Sequence, residues 1–138
     1  MTPEGAMTAL ATQISTTLCG TVNPVIPNLQ VVNFPHPNPS PPCVDMYPSD
    51  PFIEATGFGK GIKDYFIEVR ARVDIMDNQG QWSLLLSMMD TQSSTSVEQA
   101  ILSNTSLSGG GTIRSVDGPR FRPFGQFAGC SWTVRITP

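Results

Sequence analysis

Apolar and polar residues alternate strictly from residue 65 to residue 75. Tyr65, Ile67, Val69, Ala71, Val73 and Ile75 share one parity, and Phe66, Glu68, Arg70, Arg72 and Asp74 share the other. A helix would scatter this apolar set around its circumference, whereas a strand places it on one face. The β-branched and aromatic content agrees. The pattern therefore predicts a long, half-buried strand with a charged outer face, of the kind found in an antiparallel sheet covered on one side only. Its other face carries Glu68, Arg70, Arg72 and Asp74. Two readings are open for those charges: a solvated sheet surface, or a subunit contact in which charge pairing sets register and specificity.

Other segments follow the same logic. Residues 3–18 read as a helix with Thr2 as cap, Pro3 at the first helical position and Glu4 facing the positive end of the dipole. Met7, Leu10, Ala11, Ile14 and Leu18 form its apolar stripe, and Gly20 offers a stop. Residues 23–51 hold nine of the thirteen prolines. Two short apolar pieces inside that stretch, 29–34 and 43–47, read as strands joined by an extended, semi-rigid proline-rich connector over 35–42. Trp82, Leu85, Leu86 and Met89 mark a helix ending near Thr91. Thr95-Ser96-Val97-Glu98 matches a capping box that opens another, whose buried side is Val97, Ala100 and Ile101. Gly109, Gly110 and Gly111 close the helical part. Residues 112–116 read as a strand and 117–125 as a loop combining two arginines, two phenylalanines and two prolines. The alternation returns over 127–137, a strand expected to pair antiparallel with the central strand or with 112–116.

The element order predicts one α+β domain over residues 1–138, a mainly antiparallel sheet with helices packed on one face. A chain of 138 residues carries one core rather than two. Charged residues make up 14% of the chain, and Ser, Thr, Asn, Gln, Gly and Pro fill the balance, which suits a loop-rich protein. The net charge of −3 gives no electrostatic case for nucleic-acid recognition. The basic residues are nonetheless confined: none precedes Lys60. With no secretion signal and no segment able to span a bilayer, a soluble protein made in the cytosol is expected. The three cysteines, Cys19, Cys43 and Cys130, lack any Cys-x-x-Cys spacing and are expected to be reduced, buried small hydrophobes.

Catalytic patterns are sparse. The single histidine, His36, lies in the proline run with no serine motif nearby. Gly-x-Ser-x-Gly and His-Glu-x-x-His are absent, and the acids are scattered. The alternating Gly57, Gly59 and Gly61 resemble a phosphate cradle, but a strand follows them where such a cradle needs a helix. No catalytic, cofactor or metal residue is assigned. Arginine and aromatic residues are what interfaces favour, so Lys60, Lys63, Arg120, Phe121, Arg122 and Phe124 are the candidate assembly contacts, beside Glu68, Arg70, Arg72 and Asp74 of the central strand. An enzyme and a monomeric module for peptides or sugars are the competing classes.

Several features together resemble the tail terminator proteins of long-tailed bacteriophages, above all those of actinobacteria. They are the opening helix, the proline-rich stretch, and the run Gly-Phe-Gly-Lys-Gly-Ile-Lys-Asp-Tyr over 57–65 leading into the central strand. The helix over 96–102 belongs with them, as do the closing runs Gly-Thr-Ile-Arg-Ser-Val (111–116) and Phe-Gly-Gln-Phe-Ala-Gly-Cys-Ser-Trp-Thr-Val-Arg-Ile (124–136). The resemblance implies an α/β subunit that forms a six-membered ring on the tail tube, stops its polymerisation and joins it to the head connector. The implied partners are other copies of the chain, the major tail tube protein and the connector or neck protein, in a virion assembled in the host cytoplasm. It implies no enzyme activity, no cofactor and no membrane. A head-closure protein of the same neck is the nearest alternative. The 35–42 segment is longer and richer in proline than that layout implies.

Overall fold

A computed structural model describes residues 1–20, 24–36, 42–55, 61, 63–74, 79–124 and 127–138. The first helix, α1, spans Pro3–Leu18, and Thr2 caps it by accepting the Gly5 N–H at 3.0 Å. Ala6, Leu10, Ala11, Ile14 and Leu18 are buried, with Met7 half-buried at the stripe's margin. The helix covers the expected residues 3–18; its C-cap is Cys19, whose N–H reaches Ser15 O, rather than Gly20.

Five strands follow as one sheet: β1 (Gln30–Val31), β2 (Cys43–Ala55), β3 (Lys63–Asp74), β4 (Thr112–Phe124) and β5 (Phe127–Thr137), in the spatial order β1-β2-β3-β5-β4. The alternating strand, β3, lies in the middle of this order. All pairings are antiparallel except β1 with β2. β5 pairs on one side with β3 and on the other with β4, so both partners expected for it are used. Helices α2 (Gln79–Met89) and α3 (Val97–Leu102) join α1 on a single face. There Val44, Met46, Ile67, Val69, Ala71, Val73, Trp132 and Val134 meet Leu10, Ile14, Leu85, Met88 and Ile101 in one core. The fold is α+β, a mainly antiparallel sheet with its helices on one face.

Several boundaries differ from expectation, each for a physical reason. Of the 29–34 piece only Gln30 and Val31 pair. The 43–47 strand continues through Pro48 and Pro51 to Ala55, across a register shift between Pro48 and Ile53. Bulges and edges absorb prolines because no ladder donor is required there. The same device corrects the 117–125 loop. Residues up to Phe124 belong to β4, which stays paired with β5 through shifts at 113/115 and 117/120. Gly118 serves the second shift: its φ is +125°, and a Cβ there would lie 2.7 Å from Ser131 O.

The α2 stripe is also rotated from expectation. Leu85 and Met88 are buried, whereas Trp82 and Leu86 turn outward at 38% and 49% exposure. The helix ends at Met89, short of Thr91. The cap of α3 is Ser96, accepting the Gln99 N–H at 3.2 Å, one residue later than the Thr95–Glu98 match. Gln99 turns its side chain to Thr91 O instead of completing the box. Ile75, Lys60, most of the glycine run and residues 37–41 of the proline-rich connector lie outside the described residues.

Candidate functional site

The face of the sheet opposite the helices is built from charge pairs. Residues directly opposed across neighbouring strands share a face, so β2 presents Cys43, Asp45 and Tyr47 beside Arg72, Arg70 and Glu68 of β3. Arg72 is a correction to the outward-facing charge set. It is buried, ion-paired with the fully buried Asp45, and donates to Tyr47 Oη at 2.8 Å. Asp45 also accepts the His36 backbone N–H at 3.1 Å.

Arg70 bonds Glu68 at 2.9 Å and stacks its guanidinium 3.7 Å from the Tyr47 ring centroid. Partial burial alone would raise the Glu68 pKa, but the hydrogen bond and charge of Arg70, helped by Arg122, outweigh it and the net shift is downward. Further along, the buried Asp64 accepts from Arg135 and from Thr137 Oγ1. Glu68 and Arg70 are half-buried and internally paired, so neither a fully solvated face nor a free subunit contact describes them. Asp74 is half-buried at the end of β3, and Lys63 is exposed at its start.

Between the distal half of β2 and the far half of β4 lies a cleft of about 320 Å³. Asp50 and Glu54 form one wall, Arg120 and Arg122 the other, and Phe66, Glu68 and Thr133 the floor. Arg122 approaches Glu68 at 4.0 Å. Three of the expected contact residues, Glu68, Arg120 and Arg122, are thus brought together. Phe121 is not among them. Strand alternation sends it to the helical side, paired with Cys130 in register. There it is 51% exposed and meets Trp82 edge-on, ring centroids 5.9 Å apart at 76°. Leu86, one turn along α2 from Trp82, extends this exposed apolar patch. Phe124 ends β4, and its side chain lies outside the described residues.

β4 is itself an edge. Its first residues are covered, since Ser106 bridges Thr112 and Ile113 N–H reaches Thr105 O at 2.8 Å. From Arg114 onward no described strand lies against it on the side away from β5. Arg114, Arg120 and Arg122 are exposed along that open length. Helical spacing points Trp82 to the core, where the structure does not put it, and leaves the buried Asp45 without a signal of its pairing. The parity of Val44, Asp45 and Met46 puts Asp45 on the charged face, but its pairing with Arg72 depends on a register that no local pattern reveals.

A second concavity, about 760 Å³, runs between α1 and residues 103–109. Its walls are mainly hydroxyl side chains, among them Thr8, Thr12, Thr16, Ser103 and Ser106, with Glu4 the one charge. Burial pushes the Cys43 thiol up to about 11 and the Cys130 thiol up to about 12. Both are therefore neutral thiols at pH 7, poor nucleophiles set in the packing. Among the described residues no group of three or more His, Cys, Asp or Glu is placed to hold a metal ion, and no helix is long and apolar enough to cross a membrane.

No protein-family model matches this chain, and no curated protein matches it in sequence.

Proposed function

We propose that this chain is a structural virion protein: a tail terminator that caps the tail tube as a six-membered ring, ends its polymerisation and joins the tail to the head connector. The observation that carries the reading is where the interface-type side chains lie. Arg114, Arg120, Phe121 and Arg122 sit along one open edge strand, with Trp82 and Leu86 beside them. Tryptophan, phenylalanine and arginine are enriched at protein contacts, and tryptophan and arginine are among those that carry most of the binding energy. No described strand covers that edge beyond Arg114, so these side chains are accessible to another chain. The layout resemblance over nearly the whole chain supports the same reading and supplies its partners: further copies, the tube protein and the connector.

Electron microscopy of particles made without this gene tests it. Overlong tails beside separate, DNA-filled heads are expected. Normal-length, head-free tails would move the protein to the head side of the neck as a head-closure protein. Intact infectious particles would overturn the structural reading and return the question to a binding module or an enzyme.

A further inference from the structure

We infer that copies of this chain join head to tail, with the open edge of β4 in one copy lying along the distal half of β2 in the next. This rests on the assembly reading above and assigns the two surfaces that meet.

The sheet has two free borders. β1 covers only Cys43 and Val44 of β2, so beyond that point no described strand lies on the outer side of β2. That border carries Asp50, Ile53 and Glu54, all exposed, with Ile53 at 43%. The opposite border, β4, carries Arg120, Phe121 and Arg122. Their charges are opposite in sign. Every arginine of the chain lies on β3, β4 or β5, so only one of the two borders is basic.

The match extends to the faces. Glu54 is in register with Asp64 and lines the outer cleft together with Asp50, Arg120 and Arg122. Ile53 is in register with Tyr65, a core residue, and Phe121 with Cys130, another. Acids and arginines thus share the outer face, while Ile53 and the Phe121–Trp82 patch share the helical face. β2, β3, β5 and β4 alternate in direction. A β2 placed beside β4 by simple repetition therefore runs antiparallel to it, with helices kept on the same side. Ile53 then meets the aromatic patch while Asp50 and Glu54 meet the arginines.

Prolines set the character of the contact. Pro48 and Pro51 on β2, and Pro119 and Pro123 on β4, remove backbone donors from both borders. Side chains rather than a continuous ladder must hold the copies together. Proline on an edge also guards against uncontrolled strand addition. Such a contact uses two different surfaces, so repeating it closes a ring or extends a filament.

The test uses the full chain with Phe121→Cys in one preparation and Ile53→Cys in another, oxidised singly and after mixing. The same pair is oxidised in virions carrying both variants. The expected result is a covalent dimer in the mixture and in virions, beyond that of either variant alone or of the unmodified chain. A second readout uses charge. Reversing Arg120 and Arg122 to Glu, or Asp50 and Glu54 to Lys, should weaken self-association by about tenfold or more, because like charges then face each other. Combining all four reversals should restore it.

No cross-link above the unmodified control in either setting would overturn the proposal. So would failure of the fourfold variant to reassociate while its thermal unfolding stays cooperative. If deleting the gene leaves tails normal while the cross-link forms, the tail reading fails and the edge contact stands. Overlong tails on deletion with no cross-link break the edge contact alone.

Discussion

Arg72 and Arg120 are the same residue type, on the same face of the same sheet, yet their surroundings differ in burial and in partners. Arg72 lies on the central strand, buried against Asp45 and Tyr47. Arg120 lies on a border strand, exposed and without an ion-pair partner among the described residues. A buried ion pair adds little over a well-packed apolar pair, but losing one member strands a charge in low dielectric. An exposed arginine contributes little to folding and is available to another chain. Position in the sheet, rather than residue type, separates an arginine committed to the fold from one left accessible at the surface.

The sharpest way to break that contrast is at its buried end. Arg72→Met should cost about 3–5 kcal/mol by leaving Asp45 uncompensated, measured as a shift in the urea midpoint. Adding Asp45→Leu to it should recover much of that loss. A double variant no more stable than Arg72→Met would mean that Asp45 is not the partner that matters. Next in size, Ser96→Ala removes the cap of α3 and should cost about 0.5–2 kcal/mol, read from the same denaturation curves. Arg120→Ala should change stability by no more than about 0.5 kcal/mol, as surface substitutions do.

Titration sharpens the picture at both ends of the pH scale. The Glu68 pKa is depressed, so its contribution is present above the ordinary carboxylate pKa and fades as pH falls through the lowered value. Glu68→Gln should therefore flatten the acid side of the stability profile and leave the neutral region little changed in slope. Cys43 and Cys130 behave in the opposite sense. Their raised values mean that stability is lost as pH rises from about 9 toward 11 and 12. In a thiol-reagent assay near pH 8, the half-buried Cys19 should react first, and the other two only on unfolding. Rapid labelling of all three in the native protein would contradict the packing described for them.

How much of this was legible in the chain follows the same division. α1, β3, α3 and β5 could be read because one face of each meets the core, and burial imposes a period on the sequence. In the sequence β2 and β4 look shorter than they are, because Pro48, Pro51, Gly118 and Pro119 resemble strand ends. In the structure they occupy bulges on border strands, where a missing donor or a positive φ is tolerated. Trp82 misled for a different reason: it occupies a helical position compatible with the core but turns outward to meet Phe121. The pairs Arg72–Asp45 and Arg135–Asp64 span 27 and 71 residues. Such partners are set by strand register, a property of the assembled sheet rather than of any local stretch.

On the reading proposed above, the exposed arginines of β4 matter chiefly to assembly, Arg122 adding to folding only its long ion pair with Glu68. The most direct measurement introduces Arg120→Glu and Arg122→Glu together, then records both the unfolding midpoint of the purified chain and tail length in the resulting particles. The account predicts a stability within about 1 kcal/mol of the unmodified chain, together with tails of uncontrolled length. A chain that fails to fold, or one that folds and still yields normal tails, would contradict it.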